Sequence, residues 1–546
     1  MIISNKNGNV IYKSWRENGV KKSEEVEFRP YFYVSVEEPE ITHYPVSKYA
    51  RGEFKYEEGD WVSLEGYKLK RVYVQKSFDI YKARQHFSKT YEADVPYTFR
   101  YAVDEIDEMP EYNMRKWYWD MEWQQGGEHD NCITTIVMYD NYDKEYYQWA
   151  WFPNDINTGG VYFHDKERVF GNEKDMIENF MGTMIAKDPD MLIAWFGLKF
   201  DLPKLLDRAC ALGLNPLVMS PYHKIDGVKQ LKDSCSFKRQ DGYSPIEQPI
   251  GGRLTLNLDL AFERQWNDSQ RGTLPSLSLD YVSKLLFDEG KVMDTKFEDP
   301  NEFYRRAWLE DTEAYLNYAI VDVELLVKID EKNYCSEAIL SLQRLLKAPF
   351  KGCFYASHMG SVYFMRNAWW KAPTGIKSAD RKEYEGAMIY DPLSEDTNGL
   401  HLNVAAFDFA GLYPSMMVAR NISWETKSET PTEFGVNILT PRDFSEPLGD
   451  RMYYYKTDEL GLLPKAVLEL KELRNDYKKR MKNSEGDEYV KWHNNQMAVK
   501  RLMASFYGVL AYQGFGWADV DLAASITASA REAIRLAAFK AKEMEL

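Results

Sequence analysis

At 546 residues the chain is too long for one hydrophobic core, so three or four domains are expected. The formal net charge of −16 argues against a uniformly basic nucleic-acid binder, although phosphate contacts need only local positive charge. No apolar run approaches the ~18 residues of a membrane span, and neither a repeat nor a leader pattern is present, so a cytoplasmic chain without membrane contact is expected. Five cysteines, Cys132, Cys210, Cys235, Cys335 and Cys353, lack any C-x-x-C pairing and read as reduced thiols.

Residues 1–105 read as a β-rich N-terminal domain, with hairpin signals at Asn7-Gly8 and Asn18-Gly19. The stretch Phe28–Val34 mixes aromatics with Arg29; an ordinary core strand has the same pattern, so only a structural role is assigned. In Lys116–Trp123, strand alternation places Asp120 and Glu122 on one face. Two adjacent carboxylates repel unless a cation lies between them, which suits Mg²⁺ or Mn²⁺. Taken alone, a D-x-E pair is common on exposed strands. A Gly-Gly turn then leads to a second strand, Cys132–Tyr139, and Met191–Gly197 reads as a third. Asp201 follows near the N-cap of a helix begun around Pro203. Asp311–Lys328 reads as a largely buried helix with Tyr318 and Asp322 at i, i+4.

From Leu340 to Lys377 the chain is basic and aromatic, a connector, and Tyr384-Glu385-Gly386-Ala387 follows it. In Asn403–Ser415, NVAAFDFAGLYPS, an apolar strand over Val404–Phe407 ends at Asp408. A tight turn at Ala410-Gly411 then feeds a helix with Pro414 at its first position. A carboxylate placed there can hold a divalent metal, and the turn offers N–H groups to a polyphosphate. Pro464–Lys482 and Glu488–Tyr507 read as an antiparallel helical hairpin. Lys465–Lys482 is locally basic, with seven cationic side chains against three acidic ones; a solvated helix face has the same composition. Arg474 and Lys478 share one face of the first helix, and Lys500, Ala504 and Tyr507 share one face of the second. Asp521–Leu546 reads as an Ala-rich helix packed through Leu522, Ile526, Ala530 and Ile534.

DFAGLYPS resembles motif A of the family B DNA polymerases, with Gly411 where that motif has Ser, and the order of the motifs is most similar to replicative polymerases of tailed bacteriophages. The resemblance implies that Asp408 is a catalytic metal ligand and that Tyr413, beside Leu412 at the nucleotide site, excludes ribonucleotides. D-x-E, F-D-x-P and Y-x-x-x-D resemble the family's 3′–5′ proofreading exonuclease motifs. They imply an RNase H-like fold in which Asp120, Glu122, Asp201 and Asp322 hold two Mg²⁺ or Mn²⁺ ions and Tyr318 orients the attacking water. The Asn expected four or five residues before Asp201 is absent, with Gly197 and Phe196 at those positions. By the same resemblance Tyr384 and Gly386 touch template DNA, and Ser234–Gly252 is a hairpin that helps move a primer end. Lys500–Gly508 resembles motif B with Ala504 replacing an Asn. That implies Arg474, Lys478, Lys500 and Tyr507 at the incoming dNTP and Gly508 near the templating base.

The expectation is an α/β multidomain chain. It comprises a β-rich N-terminal domain (1–105), an RNase H-like exonuclease (106–340), a connector (341–379), a partial palm (380–463), helical-hairpin fingers (464–510) and a returning palm helix (511–546). The D-T-D-S string that carries the family's second palm carboxylate occurs nowhere in the sequence. A two-ion mechanism needs ligands from both strands, so a split phage polymerase is expected, in which a separate chain brings the missing carboxylates and the thumb. Without it, the final helix's apolar residues would lack the rest of a palm to pack against. Partners would be primer-template DNA, dNTP, that chain and a sliding clamp. The alternatives are a stand-alone 3′–5′ exonuclease and a non-catalytic DNA-binding protein; the complete set of exonuclease carboxylates weighs against the latter.

Overall fold

The computed structural model describes all residues except 48, 154–166, 232–233, 239–245, 269–271, 291–295, 298, 376–383, 387, 389–399, 401, 403, 405–407, 440–450, 513 and 545–546. The chain divides into two compact units, not three or four: Met1–Phe28 with Glu105–Phe354, and Arg29–Asp104 with Tyr355–Leu546.

In the first unit, Ile2–Asn5, Val10–Glu17 and Val20–Glu27 form a three-stranded antiparallel sheet. Gly8 (φ 94°) turns its first hairpin, and Asn18 and Gly19 (φ 51° and 80°) turn its second, as N-G loops require. Buried Arg16 pairs with buried Asp190, Lys21 with Asp188, and Gln343 Nε2 donates to the Met1 carbonyl. A buried guanidinium without its carboxylate would be costly. This ties the first 28 residues to the segment entering Met191.

The central sheet contains β1 (Lys116–Trp123), β2 (Ile133–Asp140), β3 (Glu145–Trp151), β4 (Glu167–Phe170), β5 (Met191–Ala194), β6 (Ile246–Glu247) and β7 (Leu254–Asn257). Their order is β4-β3-β2-β1-β5-β7-β6. β1 is antiparallel to β2 and parallel to β5, and β5 is parallel to β7, the mixed sheet expected of an RNase H-like domain. Alternation along β1 sends Trp117, Trp119 and Met121 into a core with Trp149, Phe180 and Trp308. The opposite face carries Tyr118, Asp120 and Glu122. Helix α1 (Asp201–Ala211) follows β5, and α2 (Thr312–Asn333) packs on the Tyr118 face, where Tyr118 Oη donates to Asp330 Oδ2 at 2.7 Å.

Cys210 and Cys235 are joined as a disulfide with Cα atoms 5.3 Å apart, which corrects the expectation of five reduced thiols. Their spacing of 25 residues gives no sign of it; the approach of α1 to the strand Cys235–Phe237 creates it. Cys132, Cys335 and Cys353 are free.

In the second unit, Tyr31–Ser35, Lys68–Tyr73 and Lys55–Val62 form one sheet. An aromatic core gathers Phe364, Trp370, Trp424, Phe506 and Trp517. Its helices include α3 (Leu412–Ala419), α4 (Leu462–Lys482), α5 (Gly486–Leu510) and α6 (Val520–Glu543). Tyr477 meets Trp492 and, three residues earlier on α4, Arg474 meets Gln496 four residues later on α5, so α4 and α5 run antiparallel as expected. Of the residues expected to lack a palm to pack against, Leu522 and Ile526 of α6 are already buried within this chain, and Ile534 is half-buried. Only farther along does α6 expose large apolar groups, Leu536 (64%) and Phe539 (66%). The strand expected over Val404–Phe407 and the tip of the Ser234–Gly252 stretch lie largely outside the described residues.

Candidate active sites of the two units

In the first unit, Asp120 and Glu122 on β1 and Asp322 on α2 can each place a carboxylate oxygen within 4.8 Å of the others. Asp322 is buried and the other two are half-buried. Three carboxylates this close can share a cation between them. Their hard oxygens fit Mg²⁺ or Mn²⁺. Asp201 stands outside this group. The helix begins two residues earlier than expected, so buried Asp201 is its first residue and not a cap before Pro203.

Tyr318 lies one turn before Asp322, buried, with its hydroxyl 3.4 Å from that of Tyr304. Burial, then the charges of Asp322 and Glu122, pushes its phenol far up, so the hydroxyl keeps its proton and can donate. Tyr315, one turn earlier again and also buried, sits 2.7 Å from Thr134 Oγ1, which donates to the Glu122 carbonyl at 3.0 Å. Sequence reading missed Tyr304, Tyr315 and Thr134. The i, i+3, i+7 spacing of Tyr315, Tyr318 and Asp322 was a usable signal; Thr134 offered none. At Gly197, a Cβ would come within 2.6 Å of the Ala194 Cβ, which explains why no Asn stands there.

In the second unit, Asp408 is exposed just before the turn into α3. Gly411 has φ 69°, a left-handed geometry that disfavours Ser, and Pro414 falls at the third helical position, not the first. Leu412 and Tyr413 open α3, half-buried. The Tyr413 and Tyr507 ring centroids are 4.4 Å apart, and Tyr384 Oη lies 3.2 Å from Tyr507 Oη. Three tyrosines from three separate segments thus converge. Burial first, then Tyr384, pushes the Tyr507 and Tyr413 phenols up.

The Tyr384–Gly386 segment is held from α6. Fully buried Arg531 donates to the carbonyls of Glu385 (2.9 Å), Gly386 (2.6 Å) and Ile438 (3.2 Å), and Thr527 Oγ1 donates to Glu385 O at 2.7 Å. Neither residue was singled out from the sequence, although a Thr and an Arg at i, i+4 in an Ala-rich helix invite the question. Arg474, Lys478 and Lys500 lie on the helical hairpin. The Lys478 ammonium is pushed down by the Arg474 charge, then by burial, then by Lys482 and Lys500. These cations share one field, whose repulsion a bound anion relieves. Lys500, Ala504 and Gly508 are exposed, and at Gly508 a Cβ would meet nothing within 4 Å.

Residues 121–248 match the family model "DNA polymerase family B, exonuclease domain", and residues 358–544 match "DNA polymerase family B". Between them the two models match more than half of the chain, in the expected order, and the chain belongs to DNA polymerase family B, with that family's exonuclease domain. It is 27% identical to DNA polymerase 1 of Pyrococcus abyssi over 379 residues, 67% of this chain and 44% of that protein. With a DNA polymerase of Pyrococcus glycovorans the identity is 26% over 484 residues, 85% of this chain and 56% of the relative. With the DNA polymerase delta catalytic subunit of Candida albicans it is 25%, covering 66% and 34%. The chain therefore spans about a third to just over half the length of these relatives. Its fold is similar to that of the family B DNA polymerase of Pyrobaculum calidifontis, with a TM-score of 0.69 and 18% identity, over 100% of this chain and 72% of that one.

Proposed function

We propose that this chain is the larger part of a replicative DNA polymerase with 3′–5′ proofreading. The observation that carries the reading is the convergence of Asp120, Glu122 and Asp322 beside Tyr318, in a unit whose sequence matches the family's exonuclease domain. Bound divalent ions would stabilise the attacking and leaving oxygens of a phosphodiester. Asp120, Glu122 and Asp322 hold them, Tyr318 orients water through its retained proton, and Asp201 contributes from the start of α1. For synthesis, Asp408 is the palm ligand, Tyr413 with Leu412 bounds the sugar, and Arg474, Lys478, Lys500 and Tyr507 meet the triphosphate. Tyr384, Gly386 and Gly508 face DNA.

Because no D-T-D-S string occurs in the 546 residues, a second palm carboxylate must come from other sequence. A separate chain carrying that string and the thumb is the proposed source, with a sliding clamp as a further partner. Replication of a tailed phage in its bacterial host is the proposed setting, resting on motif order alone; the relatives named above are archaeal and fungal. A second reading is a stand-alone exonuclease, which the carboxylate trio of the first unit would serve by itself. The deciding experiment for the nuclease is Asp120→Ala combined with Glu122→Ala, assayed on a 3′-labelled oligonucleotide with Mg²⁺. Degradation should fall to background while DNA binding persists; undiminished degradation would sink the assignment.

A further inference from the structure

β1 and α2 carry the carboxylate trio between them, and hydrogen bonds pin these two elements at two places. At one end Tyr118 Oη donates to Asp330 Oδ2 at 2.7 Å. At the other the tie runs through β2, from Tyr315 to Thr134 to the Glu122 carbonyl. Asp322 lies between the pins, seven residues after Tyr315 and eight before Asp330. With both pins made, the helix can neither slide nor rotate against the strand without breaking a buried bond.

Thr134 is not an ordinary strand residue. Ile133 pairs with Trp123, yet Thr135 pairs with Glu122, so Thr134 is an extra residue inserted opposite the Glu122–Trp123 step. Such a bulge bends its strand and frees a side chain from strict alternation. The hydroxyl thereby reaches the backbone of the neighbouring strand at the very residue that bears a carboxylate. Thr134 is 0% exposed and Tyr315 1%. Buried hydroxyls must be satisfied, and one ordering serves both protons: Tyr315 Oη–H donates to Thr134 Oγ1, and Thr134 Oγ1–H donates to the Glu122 carbonyl.

We propose that the Thr134 bulge and Tyr315 form a positioning relay that sets Asp120 and Glu122 against Asp322 and thereby sets the trio's affinity for a divalent cation. The inference rests on the metal-dependent exonuclease reading. Neither residue touches substrate; both act through Glu122 and α2. Residues that orient metal ligands from behind typically change affinity by about 10–100-fold when removed.

The test is Mn²⁺ binding to the full 546-residue chain without DNA, by calorimetry and electron paramagnetic resonance. Thr134→Val, which deletes the hydroxyl and keeps the bulk, should weaken binding by about tenfold. Thr134→Ser should retain parental affinity, and Tyr315→Phe should weaken it. The Mn²⁺ concentration giving half-maximal 3′-end removal should shift upward in Thr134→Val, with the rate at saturating Mn²⁺ preserved. Parental Mn²⁺ affinity in Thr134→Val, or in Tyr315→Phe should the valine variant not fold, would overturn the relay if Asp120→Ala has lost binding. Equal weakening in Thr134→Ser and Thr134→Val would also overturn it, since packing and not the hydroxyl would then be responsible. Undiminished binding in Asp120→Ala would instead remove the metal centre itself, and the relay with it.

Discussion

Tyr413 enters α3 with its ring 4.4 Å from that of Tyr507, whose hydroxyl meets Tyr384. Tyr507, held by Tyr384 on one side, backs the Tyr413 ring on the other, and a ring so backed can discriminate a hydroxyl from a hydrogen by steric exclusion. In the polymerase competent for synthesis, Tyr413→Ala should therefore raise ribonucleotide incorporation by about tenfold or more, within the range that pocket contacts supply. Measuring the ratio of kcat/KM for dNTP and rNTP decides it; an unchanged ratio would remove Tyr413 as the gate. Gly411 and Gly197 show how departures from a familiar pattern acquire reasons at this scale. The first adopts positive φ, and the second leaves room that a Cβ would take from Ala194.

The α4–α5 hairpin is an element whose electrostatics lead to a pH dependence. Lys478 is held below its ordinary value of 10.5, with the Arg474 charge as the first cause. If Lys478 meets the triphosphate as proposed, its protonated form is the one that binds, so affinity should be fully present at neutral pH. It is lost as pH rises through the depressed value, before 10.5 is reached. Bound polyphosphate favours the charged ammonium, so binding near that depressed value should take up protons. Lys478→Arg should flatten the profile, because a guanidinium stays charged throughout. Titrating dNTP affinity from neutral to alkaline pH in both proteins is the check; superimposable profiles would show that Lys478 does not face the phosphates. Salt should weaken binding in both, since this face is partly solvated.

Across the whole molecule the prediction concerns what these 546 residues can do unaided. Three exonuclease carboxylates gather in the first unit, whereas Asp408 has no D-T-D-S partner in the sequence. Purified alone, the chain should remove 3′ ends but fail to extend a primer, and adding polypeptide that carries the second palm carboxylate should restore synthesis. A primer-extension assay with and without that polypeptide measures this directly. Robust extension by the 546 residues alone would reject both the split reading and the stand-alone nuclease. Leu536 and Phe539, exposed on α6, are a surface on which the added polypeptide could pack.

What the sequence alone determined was whatever short-range periodicity and turn chemistry encode. Alternation put Asp120 and Glu122 on one face of β1, helical spacing put Tyr318 a turn before Asp322, and N-G pairs marked both N-terminal hairpins. The hairpin of α4 and α5 was equally legible, because amphipathic helices joined by a short polar turn have few ways to pack. What required the tertiary structure were contacts between residues distant in the chain, which carry no local signature. The attachment of Met1–Phe28 to Glu105–Phe354 through Arg16 and Asp190 is one such contact, and the Cys210–Cys235 pair is another. The grip of Arg531 on Glu385 and Gly386 and the insertion of Thr134 between β1 and α2 belong with them. Apart from the disulfide, each depends on a buried polar group finding its partner across elements, and burial is decided only when the elements pack.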